Sequence, residues 1–338
     1  MIKTFCKTIF LLALVVGTIY IIRCNYEQPT GFQSSEGRIF GTYYHIKYDA
    51  PQPLDSALLA ELQKVDASLS LFNRESTLSR INDGRTVQAD TMTAEVFRLA
   101  RRVAEATGGA FDPTVAPLVN AWGFGFKNAD QITRKTVDSL LGFVGYEKIA
   151  LRDGIFAKQD SRVQMDFGAI AKGYGVDRAA RVLRAKGVKN FMVEIGGEVV
   201  TSGRNPQGKP WSIGVSRPTE ADEGETDEVQ TILSLTDCAL ATSGNYRNFY
   251  YRDGKRYAHT ISPHTGRPVA HSLLSASVIA PTCAEADAFA TAFMVMGLDK
   301  ARETLSRQPQ LEAYFIYSDA NGALRVWQSK GFPRSAAD

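Results

Sequence analysis

Thr282-Cys283-Ala284-Glu285-Ala286-Asp287-Ala288-Phe289-Ala290-Thr291-Ala292-Phe293-Met294-Val295-Met296-Gly297 is the stretch whose reading decides this chain. Thr282 and Glu285 have the spacing of a capping box, and Gly297 suits a helix end, so a helix is predicted between them. Asp287 and Thr291 stand at i and i+4 and project from one face. Their neighbours are alanines, phenylalanines, Met294 and Val295, which predicts a buried face. A carboxylate buried there costs several kcal/mol without a partner. No Lys or Arg lies within a turn of it along the helix. Asp and Thr oxygens together with a carbonyl would suit a hard cation, Mg²⁺ or Ca²⁺. The plainer alternative is an Asp bonded to backbone or to a distant Arg, with Thr291 bonding its own helix carbonyl. From the pair alone both readings stand.

The same period of 3.6 predicts helices over Asp55–Leu69, Thr93–Thr107 (ending at Gly108-Gly109) and Ile170–Lys186, and a short helix follows the Thr282 helix. Strands are predicted at Arg38–Tyr48, Ile155–Ala157, Arg162–Asp166, Phe191–Ile195, Trp211–Val215, Thr231–Leu235, Arg247–Tyr251, Leu274–Ile279, Ala313–Tyr317 and Ala323–Trp327, with a hairpin turn at Asp253-Gly254. The order is mixed rather than a regular βαβ alternation, which favours α+β over a doubly wound sheet. The acidic stretch Glu220–Glu228 reads as an exposed loop.

With 338 residues, 44% hydrophobic and 22% charged, the chain can bury one large or two modest domains. Its formal charge of +3 is small, and no basic run interleaves with aromatics, so nucleic-acid binding has no support. The first 24 residues differ in character. Lys3 and Lys7 precede an apolar run from Ile9 to Ile22 that meets Arg23 and Cys24. The run is short for a spanning helix and fits a signal-peptide core. Cys24 stands where an exported lipoprotein carries its acylated cysteine, although Arg23 replaces the usual small residue before it. A lipid anchor at Cys24, an uncleaved N-terminal helix and plain secretion all place the body outside the cytoplasm. Residues 1–24 are therefore read as signal or anchor, the polar residues 25–37 as a tether, and 38–332 as the functional domain. Cys238 and Cys283 read as core packing, and four histidines leave no zinc site of the usual spacing.

Several further segments carry polar or glycine-rich signals. Asp166-Phe167-Gly168-Ala169-Ile170-Ala171-Lys172-Gly173-Tyr174-Gly175 lies where a strand turns into a helix, a junction whose free amides can hold an anion. It is neither a P-loop nor a dinucleotide fingerprint. Lys172 in a first helical turn opposes the helix dipole unless it serves a ligand phosphate or carboxylate; otherwise it is an exposed surface lysine. The paired glycines of Glu194-Ile195-Gly196-Gly197-Glu198 mark a close approach of a flat ligand or a plain hairpin turn. Ala241-Thr242-Ser243-Gly244-Asn245, with Thr242-Ser243-Gly244 read as a turn, and His259-Thr260-Ile261-Ser262-Pro263-His264-Thr265-Gly266 flank the predicted hairpin. His259 is the natural general base, while His264 is left without a role. Ala110-Phe111-Asp112-Pro113-Thr114 and Trp122-Gly123-Phe124-Gly125 can frame a planar ring or simply fold over the core.

Taken in this order, the Asp166, Glu194, Thr242 and His259 segments and the Asp287–Thr291 helix closely resemble the ApbE family, the Mg²⁺-dependent FAD:protein FMN transferases, over about residues 38 to 330. The resemblance implies an ApbE-like (T-fold-like) single catalytic domain of mixed, mostly antiparallel sheets with packed helices. It implies Mg²⁺ on Ala169, Asp287, Ala290 and Thr291, and FAD contacts at Phe40, Phe72, Ala110, Phe111, Asp112, Asp166, Lys172, Ser243, Gly244 and Ile261, with His259 as base. It further implies transfer of FMN from FAD to a Thr or Ser hydroxyl of an exported or membrane acceptor, such as a subunit of a redox complex, with release of AMP at the periplasmic face of a bacterial inner membrane. Some family members instead hydrolyse FAD to FMN and AMP, and a non-catalytic FAD-binding lipoprotein is a third reading. Phe40 stands where Met is frequent and Ser262 where Asp is common, which puts a second carboxylate beside His259 in doubt.

Overall fold

The computed structural model describes residues 31–124, 132–218, 229–245, 249–252 and 255–333. The N-terminal segment, the Glu220–Glu228 loop and the Asp253-Gly254 turn lie outside the described residues. Among the described residues no helix is long and apolar enough to cross a membrane.

In chain order the elements are β1 (Gly31–Ile39), β2 (Thr42–Ala50), α1 (Asp55–Leu69), α2 (Thr77–Asn82), α3 (Thr91–Ala106), α4 (Ala116–Ala121), α5 (Arg134–Leu141), β3 (Ile149–Arg152), β4 (Ile155–Lys158) and α6 (Ala171–Ala185). They continue with β5 (Phe191–Ile195), β6 (Glu198–Ser202), β7 (Trp211–Ser216), β8 (Val229–Leu235), β9 (Cys238–Gly244), β10 (Phe249–Arg252), β11 (Lys255–Ala258) and β12 (Leu273–Ala280). The chain closes with α7 (Cys283–Met296), α8 (Leu298–Ser306), β13 (Glu312–Ser318) and β14 (Leu324–Gln328). An eight-stranded sheet in the order β1-β2-β5-β6-β9-β12-β13-β14 forms the centre, antiparallel at every joint. Three two-stranded sheets, β3-β4, β7-β8 and β10-β11, are separate from it. The α+β architecture expected from the element order is the one observed.

Side chains alternate across this sheet, as the period of a strand requires. On β13, Ala313 and Phe315 join the helical core, while Tyr314 and Ile316 face the other way with Trp211, Ile213 and Leu233 of the β7-β8 hairpin. The sheet is thus covered by helices on one face and by a hairpin on the other. On the helical face α7 lies along β9 and β12 and against α6, and α6 covers β5 and β6.

Two helices are held unusually close. The main chain of α7 passes so near Gly173 of α6 that a Cβ there would lie 2.3 Å from the Cys283 carbonyl oxygen. Each helix also caps the other. Asp177 of α6 accepts the amides of Cys283 and Ala284 at 2.9 Å each, and Asp287 of α7 accepts the Gly173 amide at 3.1 Å. These are the orphan N–H groups of the two first turns, satisfied by a carboxylate at the positive end of each helix dipole. Thr282 completes the α7 start by accepting the Glu285 amide, as its capping-box spacing predicts.

The structure corrects three local expectations. Gly31–Gly37, read as part of the tether, pair with β2 as the sheet's edge strand. Their polarity is that of an exposed edge, and Gly37 leaves room for the Tyr44 ring, 2.8 Å from where a Cβ would stand. Arg162–Asp166 is not a strand. The Asn82 side chain brackets Met165, accepting its N–H at 2.8 Å and donating to its C=O at 2.7 Å, so the segment has no ladder to join. Thr242-Ser243-Gly244, expected in a turn, lies inside β9 and pairs with β12. The paired glycines 196 and 197 form a hairpin turn between β5 and β6, with φ of +59° and +97°, and both also line the cavity described below. The short helices α2, α4 and α5 were not predicted from the sequence.

Gly173→Ala tests the helix contact. Alanine should gain about 1 kcal/mol of helix propensity, but the methyl meets backbone that cannot rotate away, and overpacking of this kind costs about 1–3 kcal/mol or more. Urea denaturation should show a net loss of stability; an unchanged or raised midpoint would mean α7 can move aside.

Candidate functional site

The α6–α7 junction forms the floor of a cavity of about 770 Å³. Its polar end is lined by Ala169, Lys172, Glu198, Ser243, Asp287 and Thr291, and its apolar end by Ala110, Phe111, Val115, Val119, Phe124 and Ile261. A concave site with apolar walls and a few converging polar groups is the usual form of a small-molecule pocket.

Each polar group arrives by a definable route. Phe167 and Ile170, both fully buried, pin the turn that precedes α6 and leave Gly168 and Ala169 facing the cavity. Asp166 accepts the Gly168 amide at 2.6 Å and donates its own N–H to the Pro113 carbonyl at 2.6 Å, joining this turn to the Ala110–Thr114 segment. Thr291 lies one turn beyond Asp287 on α7, and its Oγ1 is 3.1 Å from the Ser243 Oγ on β9.

Asp287 is 2% exposed, and its cationic neighbour comes from across the helix interface rather than from its own helix. The Lys172 Nζ stands 3.7 Å from Asp287 Oδ2 and 3.2 Å from Glu198 Oε1. The sequence has no Lys or Arg within a turn of Asp287 along α7, and the cation comes instead from α6. The plainer reading of Asp287 is also partly realised, since its Oδ2 accepts the Gly173 amide. Burial opposes charge on Lys172, but Asp287 and then Glu198 outweigh it and hold the ammonium above the usual lysine range. Burial is also the largest influence on Glu198 and raises its carboxyl above the ordinary glutamate value, with Lys172 opposing the rise and Asp287 adding to it. Glu198 is 2% exposed, and its Oε2 has no hydrogen-bond partner among the described residues.

A metal ion would find oxygen donors here. Among the described residues no group of three or more His, Cys, Asp or Glu side chains converges, so an ion must lean on hydroxyl and carbonyl oxygens as well as a carboxylate. Asp287, Thr291 and the Ala169 turn offer such a set on one cavity wall, and it fits a hard cation such as Mg²⁺. Ala290 is fully buried within α7 and does not line the cavity.

At the other end, His259 and Ile261 lie on a segment closed by a tight turn, in which Gly266 N–H donates to the Ser262 carbonyl at 2.8 Å. The Trp122 indole donates to the Gly266 carbonyl at 2.7 Å, and the Phe124 ring meets His259 edge-on at 6.4 Å. Asp112 lines the cavity, but its carboxylate is engaged by its own loop. It accepts from Thr114 N and Oγ1 and from Tyr146 N, while burial lifts its carboxyl above the ordinary aspartate value.

Of the residues expected to meet FAD, Ala110, Phe111, Asp112, Asp166, Lys172, Ser243, Gly244 and Ile261 converge on the one cavity, together with His259. Phe40 and Phe72 do not line it. Phe40 sits in the β1–β2 turn at φ +53° with its ring against Gly175, and Phe72 is 84% exposed between α1 and α2. Sequence reasoning gave no role to Glu198. Its only signal was a charged residue placed beside Val199 and Val200 in an inward-reading strand.

The family model described as the ApbE family matches residues 40–315. A FAD:protein FMN transferase of Haemophilus influenzae is 36% identical over 313 residues, 88% of this chain and 89% of its own length. The Escherichia coli K12 protein of the same name is 31% identical over 340 residues, 95% of both chains. Among solved structures, the flavin transferase ApbE from Vibrio cholerae aligns at a TM-score of 0.81 and 34% identity, covering 90% of this chain and 99% of that one. The apo flavinyl transferase ApbE of Pseudomonas stutzeri aligns at 0.80 and 30%, covering 90% and 96%.

Lys172→Met should leave Asp287 and Glu198 buried together with no cation. In EDTA, chemical denaturation should show a loss of about 3 kcal/mol, the low end for breaking a buried pair because Lys172 is itself partly exposed. A stability equal to wild type would show that the ammonium does not balance these carboxylates.

Proposed function

The chain belongs to the ApbE family, and we infer from that membership that it is an enzyme transferring the FMN moiety of FAD to an acceptor protein. The observation that carries the reading is a single cavity that joins a hard-oxygen and ammonium end to an apolar end bearing His259.

The reaction is a phosphoryl-group transfer. A Thr or Ser hydroxyl of the acceptor attacks the FMN-side phosphorus of FAD, the pyrophosphate P–O bond breaks, AMP departs, and a phosphoester joins FMN to the protein. His259 accepts the hydroxyl proton as general base. Lys172, held charged, faces the diphosphate end, where a fixed cation favours the charge that develops on the leaving oxygen. The Ala110–Phe111 wall and Ile261 offer apolar contact to a flat ring system and exclude water from that end. Asp287, Thr291 and the carbonyl of Ala169 would hold Mg²⁺, which when bound would neutralise diphosphate charge; Ala290, which does not line the cavity, is left out of that set.

We also infer that the enzyme works outside the cytoplasm, held to the inner membrane by a lipid on Cys24 or by residues 1–24 as an uncleaved helix. Its acceptor is then an exported or membrane flavoprotein, such as a redox-complex subunit. Mass spectrometry of such an acceptor co-expressed with this chain should find an FMN-sized addition on Thr or Ser. Fast, stoichiometric AMP release from FAD with no acceptor present would instead make hydrolysis the main activity.

Two substitutions separate the roles. Asp287→Ala should abolish divalent-dependent transfer, and full retained activity would remove the metal role. His259→Ala should slow transfer by roughly 10²–10⁴, the range of a general base; an unchanged rate would move that role to another group.

A further inference from the structure

Lys172 stands between two buried carboxylates, and the two are not equivalent. It lies within hydrogen-bond reach of Glu198 Oε1 at 3.2 Å, but at 3.7 Å from Asp287 Oδ2 it is beyond such reach. Asp287 Oδ2 is already taken by the Gly173 amide, whereas Glu198 Oε2 is buried without a partner among the described residues. An ammonium carries three donors, and Glu198 keeps an unused acceptor, Oε2, on the carboxylate that Lys172 already meets. A divalent ion and an ammonium cannot share one carboxylate without strong like-charge repulsion. Any cation that binds Asp287 must therefore find Lys172 settled elsewhere, and Glu198 is the acidic side chain within reach of it among the described ion pairs.

We propose that Glu198 is a positioning residue for the metal site: it holds the Lys172 ammonium when a divalent ion takes Asp287, and so sets the affinity for that ion. The inference rests on the metal reading of Asp287 and Thr291 given above. Glu198 meets neither metal nor substrate in this account and acts through Lys172 alone. The hairpin turn at Gly196-Gly197 serves this placement, because it starts β6 at Glu198 and presents that side chain to the first turn of α6. Without Glu198, the ammonium keeps Asp287 as its carboxylate partner and competes with the ion for it.

The test is a titration of the FAD-free full chain with Mn²⁺, a hard cation that favours the same oxygen ligands. Loss of the free-ion electron paramagnetic resonance signal reads the affinity. Glu198→Gln should weaken Mn²⁺ binding about tenfold or more, in the range seen when outer-shell partners are removed. The double variant K172M/E198Q, which also removes the competing ammonium, should bind within about threefold of wild type, a recovery that a merely structural role for Glu198 would not give. Circular dichroism checks folding; should E198Q unfold, Glu198→Asp, whose shorter stem draws the carboxylate back from Lys172, should show the same weakening. A wild-type affinity in E198Q, or a double variant as weak as E198Q, overturns the role of Glu198. A wild-type chain that binds no Mn²⁺ at all overturns the metal site itself, and the inference with it.

Discussion

Two aspartates, each on one helix and each capping the other helix, hold this structure's functional centre in place. Asp177 of α6 takes the first amides of α7, and Asp287 of α7 takes an amide in the first turn of α6. A hydrogen bond to a charged acceptor contributes about 1.5–3 kcal/mol, yet burial works against the charge on Asp177 and lifts its carboxyl to about 6. The arrangement is therefore not a cheap source of stability. What it fixes is geometry: the helices can slide relative to each other only by breaking both caps and by opening the contact at Gly173, where no side chain fits.

The same constraint explains why a proposed metal ligand can sit in a fully packed core. Asp287 belongs to two systems at once, the cap of α6 and the charge cluster with Lys172 and Glu198. One carboxylate oxygen anchored by an amide leaves the group little freedom to rotate, so its position survives the arrival or departure of a cation. Lys172 then supplies a resident charge that keeps the carboxylates tolerable before any ion binds. A buried carboxylate pair lacking such a cation would have to take up protons, since isolated buried charge is too costly to persist.

Much of this was legible in the sequence, where the deciding information is local. The α7 boundaries followed from Thr282, Glu285 and Gly297, and α1 from periodicity over Asp55–Leu69, because caps and amphipathic stripes are properties of one segment. Strands β5, β12, β13 and β14 read well for the same reason, whereas β6 and β9, at the middle of the sheet, were not predicted. The edge strand β1 did not read well either, since only one of its nine residues is buried and so it carries no alternating apolar pattern. Arg162–Asp166 has the composition of a strand but is claimed by the Asn82 side chain, a contact spanning 83 residues that no window can contain. Lys172 and Asp287 were each singled out, yet their meeting was not, because it depends on how α6 and α7 cross. Glu198 was quoted within a motif and passed over for that reason too.

The two ends of the cavity are built to different tolerances, and the chemistry accounts for the difference. The Asp287 end rests on two core helices locked by paired caps, as an in-line displacement at phosphorus requires, since an error of an ångström there can cost about a hundredfold in rate. The His259 end rests on an irregular segment held by the Ser262–Gly266 turn, by the Val269 amide on the Thr260 carbonyl, by the Thr260 hydroxyl on Asn245 and by the Trp122 indole on Gly266. A hydroxyl that belongs to another folded protein cannot be enclosed by the core; it must be met at a surface, on a segment open to an incoming chain. In the proposed reaction, a diphosphate held on helices and a base carried on a loop would let one site combine a rigid donor with a macromolecular acceptor.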